Sequence, residues 1–126
     1  MNPLNILVID DENVICDACR LVLTEKGHTV EYCKTGKTGL RAMEQTGYDL
    51  ILLDMKLPDM DGMGILETIR DERPGLRVIV MTGYSTMSNA VQAMKLGAAD
   101  YLSKPFTDDE LMEAVERVFS TRPLNQ

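Results

Sequence analysis

Short apolar runs alternate with stretches of helical periodicity along the whole chain. Ile6-Leu7-Val8-Ile9 is continuous in apolar character, as a strand covered on both faces is. From about Asn13, the positions Val14, Ile15, Ala18, Cys19, Val22 and Leu23 make one helical stripe that stops at Gly27. On that wheel Cys19 faces inward and Cys16 lies nearer solvent. Thr29 to Cys33 alternates in the manner of a half-exposed outer strand. A short helix follows with Leu40 and Met43 inward, closing at Gly47. Leu50-Ile51-Leu52-Leu53 is the most hydrophobic run and predicts the central strand. After Pro58 and Gly62, Ile65, Leu66 and Ile69 mark a helix stopped by Pro74-Gly75. Val78 to Met81 predicts a fourth strand. Ala90, Val91 and Met94 mark a fourth helix capped by Gly97, and Tyr101-Leu102 a short fifth strand. The last helix opens on Thr107-Asp108-Asp109-Glu110, a capping-box pattern, and turns Leu111, Val115, Val118 and Phe119 inward.

Five strands alternating with five helices, at the spacings of right-handed βαβ units, predict an α/β fold. The expected architecture is a doubly wound, five-stranded parallel sheet in the flavodoxin-like order 2-1-3-4-5, a (βα)5 three-layer sandwich. Residues 1–120 read as one domain, and residues 121–126 as a C-terminal tail or linker stub with no apolar period.

In such a sheet ligands bind at the carboxyl ends of the strands. The first run ends in Asp10-Asp11, the third in Asp54, the fourth in Thr82, and the fifth runs into Lys104-Pro105. Order 2-1-3-4-5 makes the first and third strands neighbours, so Asp10, Asp11 and Asp54 converge. Carboxylates brought together repel one another, and the usual answers are a bound hard cation or a raised pKa. Magnesium suits oxygen ligands of this kind, keeps several waters, and is often shared with phosphate oxygens. Lys104 adds a positive charge and Thr82 a hydroxyl donor, and phosphoryl transfer asks chiefly for such positioning and charge stabilisation. A carboxylate such as Asp54 can itself be the nucleophile. Taken singly, each residue has a plainer reading: a turn former or helix cap for the aspartates, a turn for Thr82-Gly83, a solvated lysine before a proline. Their conjunction on one rim is what points to chemistry.

Composition narrows the choice further. With 44% hydrophobic and 26% charged residues the chain is of ordinary globular type. Its net charge of -7 argues against sequence-independent nucleic-acid binding, which needs a basic surface. The apolar runs fall far short of the roughly 20 residues that span a bilayer. No charged segment leads into an apolar one at the start, so no membrane association or export is expected and the cytoplasm is the default compartment. Cys16 and Cys19 form a C-x-x-C inside the first helix, with only Cys33 and His28 left to complete a metal site. They read as small buried hydrophobes, and His28 as a residue at the start of a strand.

Three look-alikes fail on spacing. Gly36-Lys37-Thr38 ends like a P-loop, but the first glycine would have to stand at Glu31. Asp59-Met60-Asp61-Gly62 mimics a calcium loop, yet aligning its glycine puts Leu57 and Thr68 where acids belong. An aspartyl-nucleophile phosphatase with a second Asp two residues on would meet Lys56, which removes the expected general acid.

These residues stand in Val8-Ile9-Asp10-Asp11, Leu52-Leu53-Asp54-Met55 with Pro58 and Asp61-Gly62, Met81-Thr82-Gly83, and Tyr101-Leu102-Ser103-Lys104-Pro105-Phe106. With them, the chain from Ile6 to about Phe119 resembles the receiver domain of bacterial two-component response regulators. The resemblance implies that Asp54 accepts a phosphoryl group from a phosphohistidine on a sensor histidine kinase. It implies Mg2+ held by Asp10 or Asp11, with Asp11 the more direct ligand, together with Asp54 and the backbone carbonyl of Lys56. Lys104 would pair with the phosphate, Thr82 would bond a phosphate oxygen, and Tyr101 would swing inward behind it. The Lys104-Pro105 peptide would be cis. The face of the fourth helix, fifth strand and fifth helix would then meet an output domain or downstream protein differently, with room for a homodimer when phosphorylated. Such a module turns over no separate metabolite; it catalyses only its own phosphorylation and hydrolysis.

Ala90 to Tyr101 is similar to receivers of sigma-54-dependent transcription activators, and Leu53 to Pro58 to stand-alone phosphorelay receivers. The first is preferred here, with transcription regulation as the output. Lys56 and Tyr84 flank the position where such receivers tune dephosphorylation. Ala90, Ala93, Met94 and Leu96 read as an exposed tetrad too ordinary to establish a dimer face.

Overall fold

In the computed structural model, which describes residues 2–83 and 86–120, the apolar runs form one parallel sheet. Its strands are β1 (Asn5–Ile9), β2 (Thr29–Cys33), β3 (Leu50–Asp54), β4 (Arg77–Thr82) and β5 (Asp100–Ser103), in the order β2-β1-β3-β4-β5. The helices between and after them are α1 (Asn13–Glu25), α2 (Gly36–Gln45), α3 (Gly62–Glu72), α4 (Met87–Lys95) and α5 (Asp108–Val118). The expected α/β architecture and strand order are both present. Tyr84 and the tail 121–126, which carried expectations of their own, lie outside the described residues.

Alternation along the strands divides the interior in two. Ile6, Val8, Leu50, Leu52, Ile79 and Met81 face α1 and α5, where Cys19, Leu23, Leu111 and Val115 meet them. Leu7, Ile9, Ile51, Leu53, Val78 and Val80 face the other way, onto Met43, Ile65, Leu66 and Ala93. β3 is buried at every position, as the most hydrophobic run should be, while β2 is exposed or half-exposed throughout. Each fully buried Leu or Ile contributes roughly 1.5–3 kcal/mol, so the two layers fix the register firmly.

Helix ends follow local chemistry. Thr107 Oγ1 accepts from the Glu110 N–H at 3.1 Å and Glu110 Oε1 accepts from the Thr107 N–H at 2.9 Å, completing the anticipated capping box. Gly27 and Gly97 take φ of +93° and +100° after α1 and α4, a backbone that side chains disfavour. The Lys104-Pro105 peptide is cis.

Four details differ from the periodicity reading. Cys16 is fully buried, because its thiol turns toward the end of β1, where it donates to the Asp10 carbonyl at 3.2 Å. Val14 leaves the apolar stripe and is 77% exposed at the open outer side of α1. Ala93 is buried against the sheet and not part of an exposed tetrad, and α2 ends at Gln45 with Thr46 as its cap, ahead of Gly47. His28 is a satisfied interior residue: its Nδ1 accepts from the Leu4 N–H at 3.0 Å.

Candidate functional site

The ends of β1 and β3 lie side by side, Ile9 beside Leu53, so the residues that follow share one rim. Asp10, Asp11, Glu12 and Asp54 each bring a carboxylate oxygen to within 4.8 Å of the others. Asp10 and Asp54 are buried, whereas Asp11 and Glu12 are exposed. The backbone holds the two inner carboxylates in place. Asp10 Oδ1 accepts from the Glu12 N–H at 2.9 Å, and Asp54 Oδ1 from the Lys56 N–H at 3.2 Å. The Asp10 N–H donates to the Cys33 carbonyl at 3.0 Å.

Lys104 reaches in from the end of β5, where its N–H donates to the Thr82 carbonyl at 2.9 Å. Its ammonium Nζ stands 2.6 Å from Asp10 Oδ2, 2.8 Å from Glu12 Oε1 and 3.4 Å from Asp54 Oδ2. The contact with Asp10 is ionic in distance but lacks hydrogen-bond alignment, so Asp10 Oδ2 is a buried oxygen without an aligned donor. Glu12 was not among the sequence candidates. The signal available was an acid directly after an Asp pair, but its partner lies 92 residues away in the chain.

Burial raises the Asp10 carboxyl above its ordinary range, and the neighbouring Lys104 opposes that rise. Asp54 is also raised, first by burial and then by the charge of Asp10, again against Lys104. For Lys104 burial acts downward, but its contacts with Asp10 and Glu12 and the charge of Asp54 outweigh it, and the net shift is upward. Proton affinity is thus displaced in all three groups, as at sites that bind or transfer charge.

The cleft above these groups has a volume of about 520 Å³ and is lined by Asp11, Glu12, Asp54, Lys56 and Lys104, with Ile15 at its side. Thr82 is 2% exposed, and together with half-buried Tyr101 it lines a second hollow of about 490 Å³ beside α4. A larger hollow of about 900 Å³ opens beside Leu4, His28 and Phe119, far along the strands from every carboxylate above, so size alone does not mark the site. The structure therefore gathers Asp10, Asp11, Asp54, Lys56 and Lys104 around one cleft and sets Thr82 with Tyr101 beside it.

The cysteines belong to the scaffold. Burial, with the charge of Asp10 behind it, pushes the Cys16 thiol up to about 11 and Cys19 to about 12, which leaves both as unreactive thiols. Asp59 and Asp61, the calcium-loop mimic, spend their carboxylates on backbone amides of α2 and α3.

Residues 6–116 match the response regulator receiver domain. The chain belongs to that family. This receiver is 34% identical over 117 residues to the transcriptional regulatory protein ZraR of Escherichia coli (strain K12), covering 93% of the receiver and 26% of ZraR. It is 35% identical over 116 residues to the DNA-binding transcriptional regulator NtrC of Proteus hauseri, covering 92% and 24%. The receiver spans about a quarter of the length of these curated relatives. A CheY-like receiver domain protein from Methanospirillum hungatei JF-1 superposes with a TM-score of 0.86 at 36% identity, over 91% of this receiver and 92% of that chain. Among the described residues of the receiver no helix is long and apolar enough to cross a membrane.

Proposed function

We propose that this receiver accepts a phosphoryl group on Asp54 and passes the change to an output partner. One observation carries the reading: a buried carboxylate, Asp54, stands beside the Lys104 ammonium and a group of further carboxylates in an open cleft. The nucleophile is a carboxylate oxygen of Asp54, and the donor is a phosphohistidine of a sensor kinase. An O–P bond forms as the donor's N–P bond breaks, and the imidazole leaves carrying the nitrogen's electron pair. Lys104 sits where it can neutralise the arriving oxygens, and the phosphoryl group raises the local charge from about -1 to nearly -2.

The donor set fits Mg2+. It is all oxygen, it holds more negative charge than Lys104 can balance, and it includes Asp10 Oδ2, which has no aligned donor. Asp10, Asp11, Asp54 and the backbone carbonyl of Lys56 would hold the ion. When bound, it would offset the negative charge of the phosphoryl oxygens.

Thr82 then donates its hydroxyl to a phosphoryl oxygen, and Tyr101 follows into the hollow the two share. The α4-β5-α5 face reads out the change. Met87, Val91 and Met94 support this, since they expose 83%, 47% and 47% of their surface in one stripe along α4. Two or three charge-assisted hydrogen bonds of roughly 1.5–3 kcal/mol each match the ~5.5 kcal/mol that shifts a population from 1:99 to 99:1. The names of ZraR and NtrC support transcription regulation as the output. Incubation with a small phosphodonor and Mg2+ should add about 80 Da, the mass of one phosphoryl group. Asp54→Asn should lose that adduct. An adduct that persists in the variant would move the acceptor elsewhere.

A further inference from the structure

We propose that Asp59 is a positioning residue for the cation site, holding the backbone of Lys56 in place by clamping its loop to α2. The inference rests on the Mg2+ reading above. Residues 55–61 leave β3 and return to α3 as a short excursion closed at its base, where Lys56 bridges Asp61 in antiparallel fashion and the Gly62 N–H donates to the Met55 carbonyl at 3.0 Å. Gly62 makes that closure possible, since a Cβ there would lie 2.6 Å from Met55 Cα.

The tip of the excursion is fixed by a different element. Asp59 Oδ1 accepts from the Gly36 N–H at 2.8 Å, and Asp59 Oδ2 from the Lys37 N–H at 2.9 Å. These amides belong to the first turn of α2, more than twenty residues away, and both carboxylate oxygens are engaged. Met60 follows Asp59 down onto the same turn. A Cβ on Gly36 would stand 2.3 Å from Met60 Cγ, so any larger residue there would force the Met60 side chain to shift.

Asp59 is exposed and covers no core, and α2 keeps its own cap because Thr35 Oγ1 accepts from the Thr38 N–H at 3.1 Å. The carboxylate therefore serves the loop more than the helix. With the base closed and the tip pinned, the peptide planes between them, including that of Lys56, have little freedom. A backbone carbonyl held in advance binds a cation more tightly than one that must be ordered on binding.

Calorimetric titration of Mg2+ into the full chain tests this. Asp59→Ala should raise the dissociation constant about tenfold, the low end for loss of an outer-shell partner. Asp59→Asn, which keeps one acceptor oxygen, should fall between that variant and the parent. Thr35→Ala removes a cap from the same helix without touching the loop, and should leave the constant within about twofold of the parent. The inference is overturned if Asp59→Ala also stays within that range, or if Thr35→Ala weakens Mg2+ as much. A parent protein that takes no Mg2+ would instead remove the underlying cation site, and the inference with it.

Discussion

Replacing Lys104 with methionine keeps the apolar stem and removes the ammonium from between two buried carboxylates. The side chains of Lys104, Asp10 and Asp54 are 10%, 0% and 6% exposed, so water screens these charges poorly. At an effective dielectric of about 20, unit charges at the observed 3.4 Å attract by about 5 kcal/mol and at 2.6 Å by about 6 kcal/mol. Desolvation of all three groups and the repulsion between the carboxylates offset much of that. Breaking a buried pair costs about 3–5 kcal/mol, and the open cleft places this one at the lower end, about 3 kcal/mol. Glu12 adds little, being mostly exposed. Urea unfolding at neutral pH without divalent cation should show that loss for Lys104→Met. Its pH dependence has a definite sign. Asp10 and Asp54 already sit above their ordinary range, and without Lys104 they rise further. A carboxyl raised in the folded state holds a proton that the unfolded chain releases, so its contribution is complete below the unfolded value and is lost as pH rises through the folded one. The deficit of the variant should therefore shrink as pH falls from neutral toward the ordinary carboxylate range. Mg2+ at a hundredfold excess over the variant's dissociation constant should stabilise the variant by about 2.7 kcal/mol, and the parent by less at the same concentration. Unchanged stability, or a deficit indifferent to both pH and Mg2+, would refute the electrostatic account.

Two further outcomes are expected beyond the Asp54 and Asp59 variants. His28 is lowered below its ordinary value by burial, so the unfolded chain binds a proton that the folded chain refuses. Stability should then fall as pH drops below about 6.5, and His28→Asn, which keeps an acceptor for the Leu4 N–H, should flatten that decline in urea melts. Thr107→Ala removes one half of the capping box and should cost about 1 kcal/mol. Hydrogen exchange at the Glu110 amide should quicken with it, and an unchanged rate would count against the cap.

The strand order was legible because β1, β3 and β4 are short, nearly uninterrupted apolar runs, β2 alternates as an edge strand should, and each connection is a helix with its own stop. Asp10, Asp54, Thr82 and Lys104 were legible for a related reason: strand ends in a parallel sheet face one rim, so a residue's place in its run gives its place in space. What escaped depends on partners distant in sequence. Glu12 meets Lys104 across 92 residues, and Asp59 reaches Gly36 across 23, so neither link leaves a periodic trace. Cys16 was misplaced because a helical wheel ranks positions by hydrophobicity alone. Its thiol is buried where α1 approaches the end of β1 and finds a carbonyl acceptor there. Ala93 was misplaced because a small side chain suits exposed and tightly packed positions equally well.

That same alanine sets how firmly α4 is seated. Within Met87–Lys95 it is the only buried residue, whereas α1 buries Cys16, Cys19, Val22 and Leu23, and α3 buries Ile65, Leu66 and Ile69. One methyl group against the sheet contributes about 0.8 kcal/mol, less than a single charge-assisted hydrogen bond. α1 and α3 are bolted to the frame by several large side chains, while α4 rests on it like a drawer on one runner. A small force at the end of β4 could shift it and leave the frame untouched.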